Sequence, residues 1–123
     1  MKGADLRQMT VPQLVERFTD LCLGQFQAEL RSDLAKENRL IRQSIAVADE
    51  LKSRNRDQRS ALVPLLAHPN PQVRLMAAEF TLAIAPAAAR QTLKELWERK
   101  QFPQAAYAMG TLRALDRGDR KPT

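Results

Sequence analysis

The chain has 123 residues, of which 44% are apolar and only 5% aromatic, with 20 basic against 14 acidic side chains for a net charge of +6. That length predicts one domain able to bury about two thirds of its unfolded surface; four glycines argue against a turn-dense β protein, and a single cysteine excludes an internal disulfide. No apolar run approaches the roughly 18 residues of a membrane span, and Met1–Met9 has no hydrophobic block of the kind a secretory signal needs, so a cytoplasmic protein is expected.

Residues 1–9 read as an N-terminal extension. The first helix starts at Thr10, with Pro12 in its first turn, where the missing N–H costs nothing. Val11, Leu14, Val15, Phe18, Leu21, Cys22, Phe26 and Leu30 recur at spacings of three and four, one buried face over several turns. Gly24 interrupts it and points to a bend or a close helix approach. Ser32-Asp33 supplies the next cap. Leu34, Ile41, Ile45, Ala48 and Leu51 mark the buried side of a second helix ending near Lys52. Residues 10–53 thus form a first, irregular hairpin, with Leu40 and Val47 off the main stripe. Those two pack inside the hairpin or, alternatively, pair between copies in a homo-oligomer. The polar connector Lys52–Arg59 follows.

Ala61, Leu62, Leu65 and Leu66 give a short amphipathic helix that His68-Pro69-Asn70-Pro71 breaks. Asn70 is placed as an N-cap and Pro71 as the first helical residue. Val73, Met76, Ala77, Phe80 and Ile84 form one apolar stripe of the next helix, and Leu75, Ala78 and Leu82 a second. A helix apolar on two sides is a sandwiched, inner element. Residues 57–84 are therefore a second hairpin. Ala85-Pro86 opens another helix, with Ala89, Leu93, Leu96 and Trp97 on its apolar face. Gln101-Phe102-Pro103 ends it and starts the last, with Ala105, Ala108, Met109, Leu112 and Leu115 in its core stripe and Gly110 permitting close packing. Residues 86–115 form the third hairpin, and 116–123 a frayed polar tail. Pro71-Gln72 and Pro103-Gln104 recur 32 residues apart, a period natural for helical repeats.

Leu62-Val63-Pro64-Leu65-Leu66, the Asn70-Pro71 turn, Val73-Arg74, Ala77-Ala78 and Leu82-Ala83-Ile84 together resemble one HEAT repeat. Pro64 stands where such repeats bend their first helix, and Val73-Arg74 where a Val-Arg pair opens the second. The chain is similar to a small bacterial family of HEAT/armadillo-like domains. The resemblance implies an all-α superhelix of about six helices in three stacked antiparallel hairpins, and no established activity. It also implies that Arg74 bonds to an acidic or carbonyl group of a neighbouring repeat.

Signatures of catalysis are missing. One histidine and one cysteine cannot build a metal-ligand cluster. His68 reads as a loop residue before Pro69, and Cys22 as a core thiol with no base in sequence reach. There is no glycine-rich phosphate loop. The expectation is a non-enzymatic binding module without cofactor or metal, gripping a protein partner through the concave face of its stack. Arg39, Arg42, Gln43, Gln72, Arg74, Glu79, Gln104, Tyr107 and Thr111 would line that face. Two alternatives stand beside it. Lys52, Arg54, Arg56, Arg59, Arg113 and Arg117, with Arg120 and Lys121, could neutralise the phosphates of a nucleic acid. The chain could also be an immunity or antitoxin-like inhibitor of a toxin.

Overall fold

Helix-capping chemistry sets where the chain turns. Thr10 Oγ1 accepts a hydrogen bond from the Gln13 N–H while the Thr10 N–H donates to Gln13 Oε1, a capping box. Asp33 caps the second helix through the Lys36 N–H, and Asn70 caps the third through Gln72 and Val73. The computed structural model describes residues 5–123, and every regular element among them is helical. After a 3-10 turn at Leu6–Gln8 come α1 (Val11–Leu30) and α2 (Leu34–Ser53), a 3-10 helix (Gln58–Ala67), then α3 (Pro71–Thr81), α4 (Pro86–Glu98) and α5 (Gln104–Arg117). The described residues fall into two compact units, one ending at Ala61 and the other beginning at Leu62. None of the helices is long and apolar enough to cross a membrane.

The first unit is an antiparallel pair, α1 on α2, joined by the three residues 31–33 and bonded across by Gln25. Leu14, Phe18, Leu21, Cys22 and Ala28 of α1 are buried, as are Val47, Ala48 and Leu51 of α2. Gly24 is the close approach: a Cβ there would lie 2.9 Å from Leu40 Cδ1. Leu40 and Val47 accordingly pack within the hairpin. The centre of the α1 stripe is polar. Gln25 is fully buried and its Nε2 donates to the Leu40 carbonyl and Ser44 Oγ, while Ser44 donates to the Ile41 carbonyl. Burial pushes the Cys22 thiol pKa strongly upward, leaving it un-ionised. The stripe ends earlier than its spacing predicts: Leu30 and Leu34, on either side of the turn, are 63% and 66% exposed. Ile45 also faces outward.

In the second unit α3 is buried without interruption from Gln72 to Ala78, as an inner helix must be. Leu75, Ala78 and Leu82 form a cluster with Ala89, Leu93 and Leu96 of α4 and Ala108 of α5, and Leu66, Leu112 and Leu115 pack onto it. The expected third helix is instead 3-10 in form, with Pro64 inside it; proline removes an N–H that an α-helix needs. α3 ends at Thr81, sooner than expected. Thr81 bonds back to the Ala77 carbonyl, the chain turns, and Ile84 is left exposed. Phe80 is only half-buried, so it is not the centre of the core.

Two side-chain pairs fix α3 against α5. Gln104 Nε2 donates to Gln72 Oε1 at 3.0 Å, and Thr111 Oγ1 donates to Glu79 Oε2 at 2.6 Å. Both pairs are separated by 32 residues. A constant offset at two points about two turns apart means that α3 and α5 run parallel and in register. The tail joins the same spine. Gly118 closes α5 in the left-handed conformation (φ 77°), the Asp119 N–H returns to the Ala114 carbonyl, and Arg120 pairs with the Glu79 carboxylate. Residues 118–120 are thus held rather than frayed.

Two stability predictions follow from this packing. Gly110 has open space where a Cβ would go, contrary to its expected role in close packing. Gly110→Ala should therefore stabilise the protein by about 0.5–1 kcal/mol in denaturant unfolding; a loss of stability would mean that another element crosses α5 there. Gln72→Leu should cost about 1–3 kcal/mol by stranding the buried Gln104 amide, whereas Gln72→Leu with Gln104→Leu should recover most of it. A double variant less stable than either single one would remove this pair from the spine.

Candidate functional site

The residues expected to line a partner groove divide into two groups. Gln72, Gln104, Glu79 and Thr111 are bonded to one another between α3 and α5, and Gln72 and Gln104 are 8% and 1% exposed. The Gln72–Gln104 amides meet inside the molecule, while the Glu79–Thr111 pair is part-buried; in both the polar atoms are turned toward each other. Arg39, Arg42 and Gln43 do face solvent on α2, and Tyr107 on α5 is 65% exposed. Arg74 is buried at 7% exposure, so it belongs to neither group.

The cations proposed for phosphates are similarly divided. Arg54 bonds to Glu50 at 2.7 Å and sends Nη2 to the carbonyls of Leu6 and Met9, tying the segment before α1 to the end of α2. Arg59 grips Asp57 through two nitrogens, at 2.8 and 2.6 Å, and holds that carboxyl below the usual carboxylate range. Arg117 pairs with Asp119, and Arg120 with Glu79. Lys52, Arg56 and Arg113 remain exposed, with Lys121 beyond them. Four of these cations, Arg54, Arg59, Arg117 and Arg120, are thus engaged by neighbouring acids and carbonyls, whereas Lys52, Arg56, Arg113 and Lys121 face solvent.

Two concave features occur in the second unit. A groove of about 510 Å³ runs along α4 and α5, with Ala87, Trp97, Met109 and Leu112 as its apolar part. Arg90, Lys94, Glu98 and Asp116 supply both signs of charge around it, and Arg90 pairs with Asp116 at 3.2 Å. Trp97 was expected to pack inward, but it is 39% exposed and meets Phe102 edge to face, with ring centroids 6.1 Å apart. Phe102 is itself 59% exposed. The sequence carried a signal for this pair: Phe102 lies in the Gln101-Phe102-Pro103 helix break, where a large aromatic has no stripe to join.

The other feature, about 460 Å³, is bordered by His68, Pro69, Arg74, Glu95, Arg99 and Gln101 and is strongly polar. His68 is part of the turn that opens α3, its Nδ1 accepting the Asn70 N–H at 3.0 Å. Among the described residues no group of three His, Cys, Asp or Glu side chains is placed to hold a metal ion.

Comparison with known proteins places this architecture. Among solved structures, the crystal structure of the protein RPA1889 from Rhodopseudomonas palustris CGA009 is similar with a TM-score of 0.95 and 45% sequence identity, covering 98% of this chain and 100% of that one. A comparison with curated proteins finds no match. The family profile described as a domain of unknown function, DUF2019, matches residues 12–116, and the chain belongs to that all-helical bacterial family.

Proposed function

We propose that this protein is a non-enzymatic protein-interaction module of HEAT/armadillo-like character, and that it grips its partner at the α4–α5 surface. The parallel register of α3 and α5 at a 32-residue offset supports the repeat-like reading, because stacked hairpins bring equivalent helices side by side in this way. The observation that carries the binding role is the exposure of Trp97, Phe102 and Tyr107. The chain has only six aromatic residues, and half of them stand out of the core in one stretch of eleven positions. Burying a Trp or Phe side chain is among the largest single contributions available to a small core. A fold this poor in aromatics that leaves three outside gains more from them in a complex.

The groove beside Trp97 has the composition of a binding hot spot. Its apolar floor is rimmed by charges of both signs, and Trp is among the residues enriched where protein interfaces concentrate their energy. A peptide segment with apolar residues on one face and mixed charge on the other fits it. The candidate residues Arg39, Arg42, Gln43 and Tyr107 stay solvent-facing and open to contact, whereas Gln72, Glu79, Gln104 and Thr111 support the surface from within.

The test is site-directed photo-crosslinking in bacterial cells, with the reactive side chain at Phe102 and, as control, at Lys36, an exposed position outside the candidate set. A defined protein should be captured from the Phe102 position. Trp97→Ala should weaken its binding to the purified chain by about 30-fold, the loss of roughly 2 kcal/mol typical of a hot-spot aromatic. Unchanged affinity in Trp97→Ala and Phe102→Ala, with helical content intact, would sink this assignment.

A further inference from the structure

The aromatic surface leaves the polar pocket at the start of α3 without a use, and two residues of its lining, Arg74 and Gln101, each carry a buried polar atom without a hydrogen-bond partner. Arg74 is 7% exposed, yet its Nε–H has no acceptor, and its Nη2 reaches only the Pro69 carbonyl at 3.5 Å. Glu95, in the same lining, approaches Arg99 at 3.9 Å. Gln101 Oε1 is also buried and receives no donor. A buried guanidinium beside a second cation, Arg99, with only the partial offset of one carboxylate, Glu95, is electrostatically expensive. Burial first, and then the charge of Arg99, lower the Arg74 pKa, and Glu95 offsets them only in part.

These groups define the chemistry of a guest. Arg74 and Arg99 against one Glu95 leave a single positive charge in the lining, which matches a monoanion. A carboxylate is flat and accepts from guanidinium N–H groups. His68, whose Nδ1 accepts the Asn70 N–H, borders the same pocket. Gln101 Oε1 demands the opposite, an N–H from the guest. Inorganic anions that only accept hydrogen bonds leave it unmet.

We infer that this pocket binds a carboxylate bearing an N–H on the neighbouring carbon, the chemistry shared by a polypeptide C-terminus and a small N-acyl amino acid. Arg74 and Arg99 hold the carboxylate and Gln101 receives the N–H.

The full-length chain labelled with nitrogen-15 provides the test, by following the Arg74 Nε–H resonance during titration. N-acetylglycine should shift it saturably, and acetate, which lacks the N–H, should bind about tenfold more weakly, as expected for one lost hydrogen bond to a buried acceptor. N-acetyl-tetraalanine with a free carboxylate, compared with its C-terminal amide, separates the two sources. Tighter binding than N-acetylglycine identifies a chain terminus, equal or weaker binding a small acid, and in either case the amide should lose at least about tenfold. Arg99→Gln, at a side chain 62% exposed, should weaken N-acetylglycine without unfolding the protein, and Arg74→Gln should weaken it further. An Arg74 resonance unmoved by both N-acetylglycine and the free peptide overturns the inference. So does acetate binding as well as N-acetylglycine, or full affinity in Arg99→Gln.

Discussion

The bonded contact between α3 and α5 is the constraint on which the second unit depends. A buried amide pair, Gln72 with Gln104, and a charge-assisted bond from Thr111 to Glu79 tie the two helices at one constant offset. Apolar packing alone tolerates small slides of one helix along another, because Leu and Ala stripes repeat every turn. The buried Gln72–Gln104 pair does not, since a slide of one residue leaves both amides unsatisfied in a site where water cannot replace the partner. The Leu75–Leu93–Leu96 cluster then supplies cohesion within a register that the polar pairs have already set. Arg120, folding back onto Glu79, extends the same bond network to the end of the chain.

Much of this was legible in the sequence, but unevenly. Caps and prolines located helix starts well: Thr10, Asp33, Asn70-Pro71 and Pro86 all stand where helices begin. Apolar spacing located the core less well. It counted Leu30, Leu34 and Ile84 as buried, yet a stripe records only that a face is available, and burial also needs an element to cover it. Gln25 failed in the opposite sense. It occupies the middle of the α1 stripe, but a residue scored by polarity is passed over unless its partners, here Leu40 and Ser44 on the facing helix, are known.

The 32-residue repeat was visible as Pro-Gln at two helix starts, and those glutamines read as polar residues on a free face. A repeat that places like residue on like helix equally brings them together, and in an inner pair this second outcome is the one the geometry takes. The same reasoning covers the cations. Basic residues near a connector or a tail look solvated when only their neighbours in sequence are known. Arg54 instead crosses more than forty positions to the Leu6 and Met9 carbonyls, and no local pattern encodes that reach.

Arg59 and Arg74 show how differently one fold can treat a buried arginine. Both are less than a tenth exposed. Arg59 lies against a carboxylate two positions earlier, with paired nitrogens on paired oxygens, and its pKa rises chiefly through that bond. Arg74 has no carboxylate in hand, and burial and a like charge lower its pKa. Desolvating a guanidinium is repaid only when an anion and its hydrogen bonds take the place of water. For Arg59 the chain itself provides that anion. For Arg74 the attraction of Glu95 offsets burial and the Arg99 charge only in part, and Arg74 shares the lining of a pocket with Arg99 and with Gln101, whose amide oxygen also lacks a donor. A burial cost of this kind is tolerable in a small helical unit if something outside the chain completes the site, and the arrangement of Arg74, Arg99 and Gln101 states what that something must offer: one negative charge and one N–H.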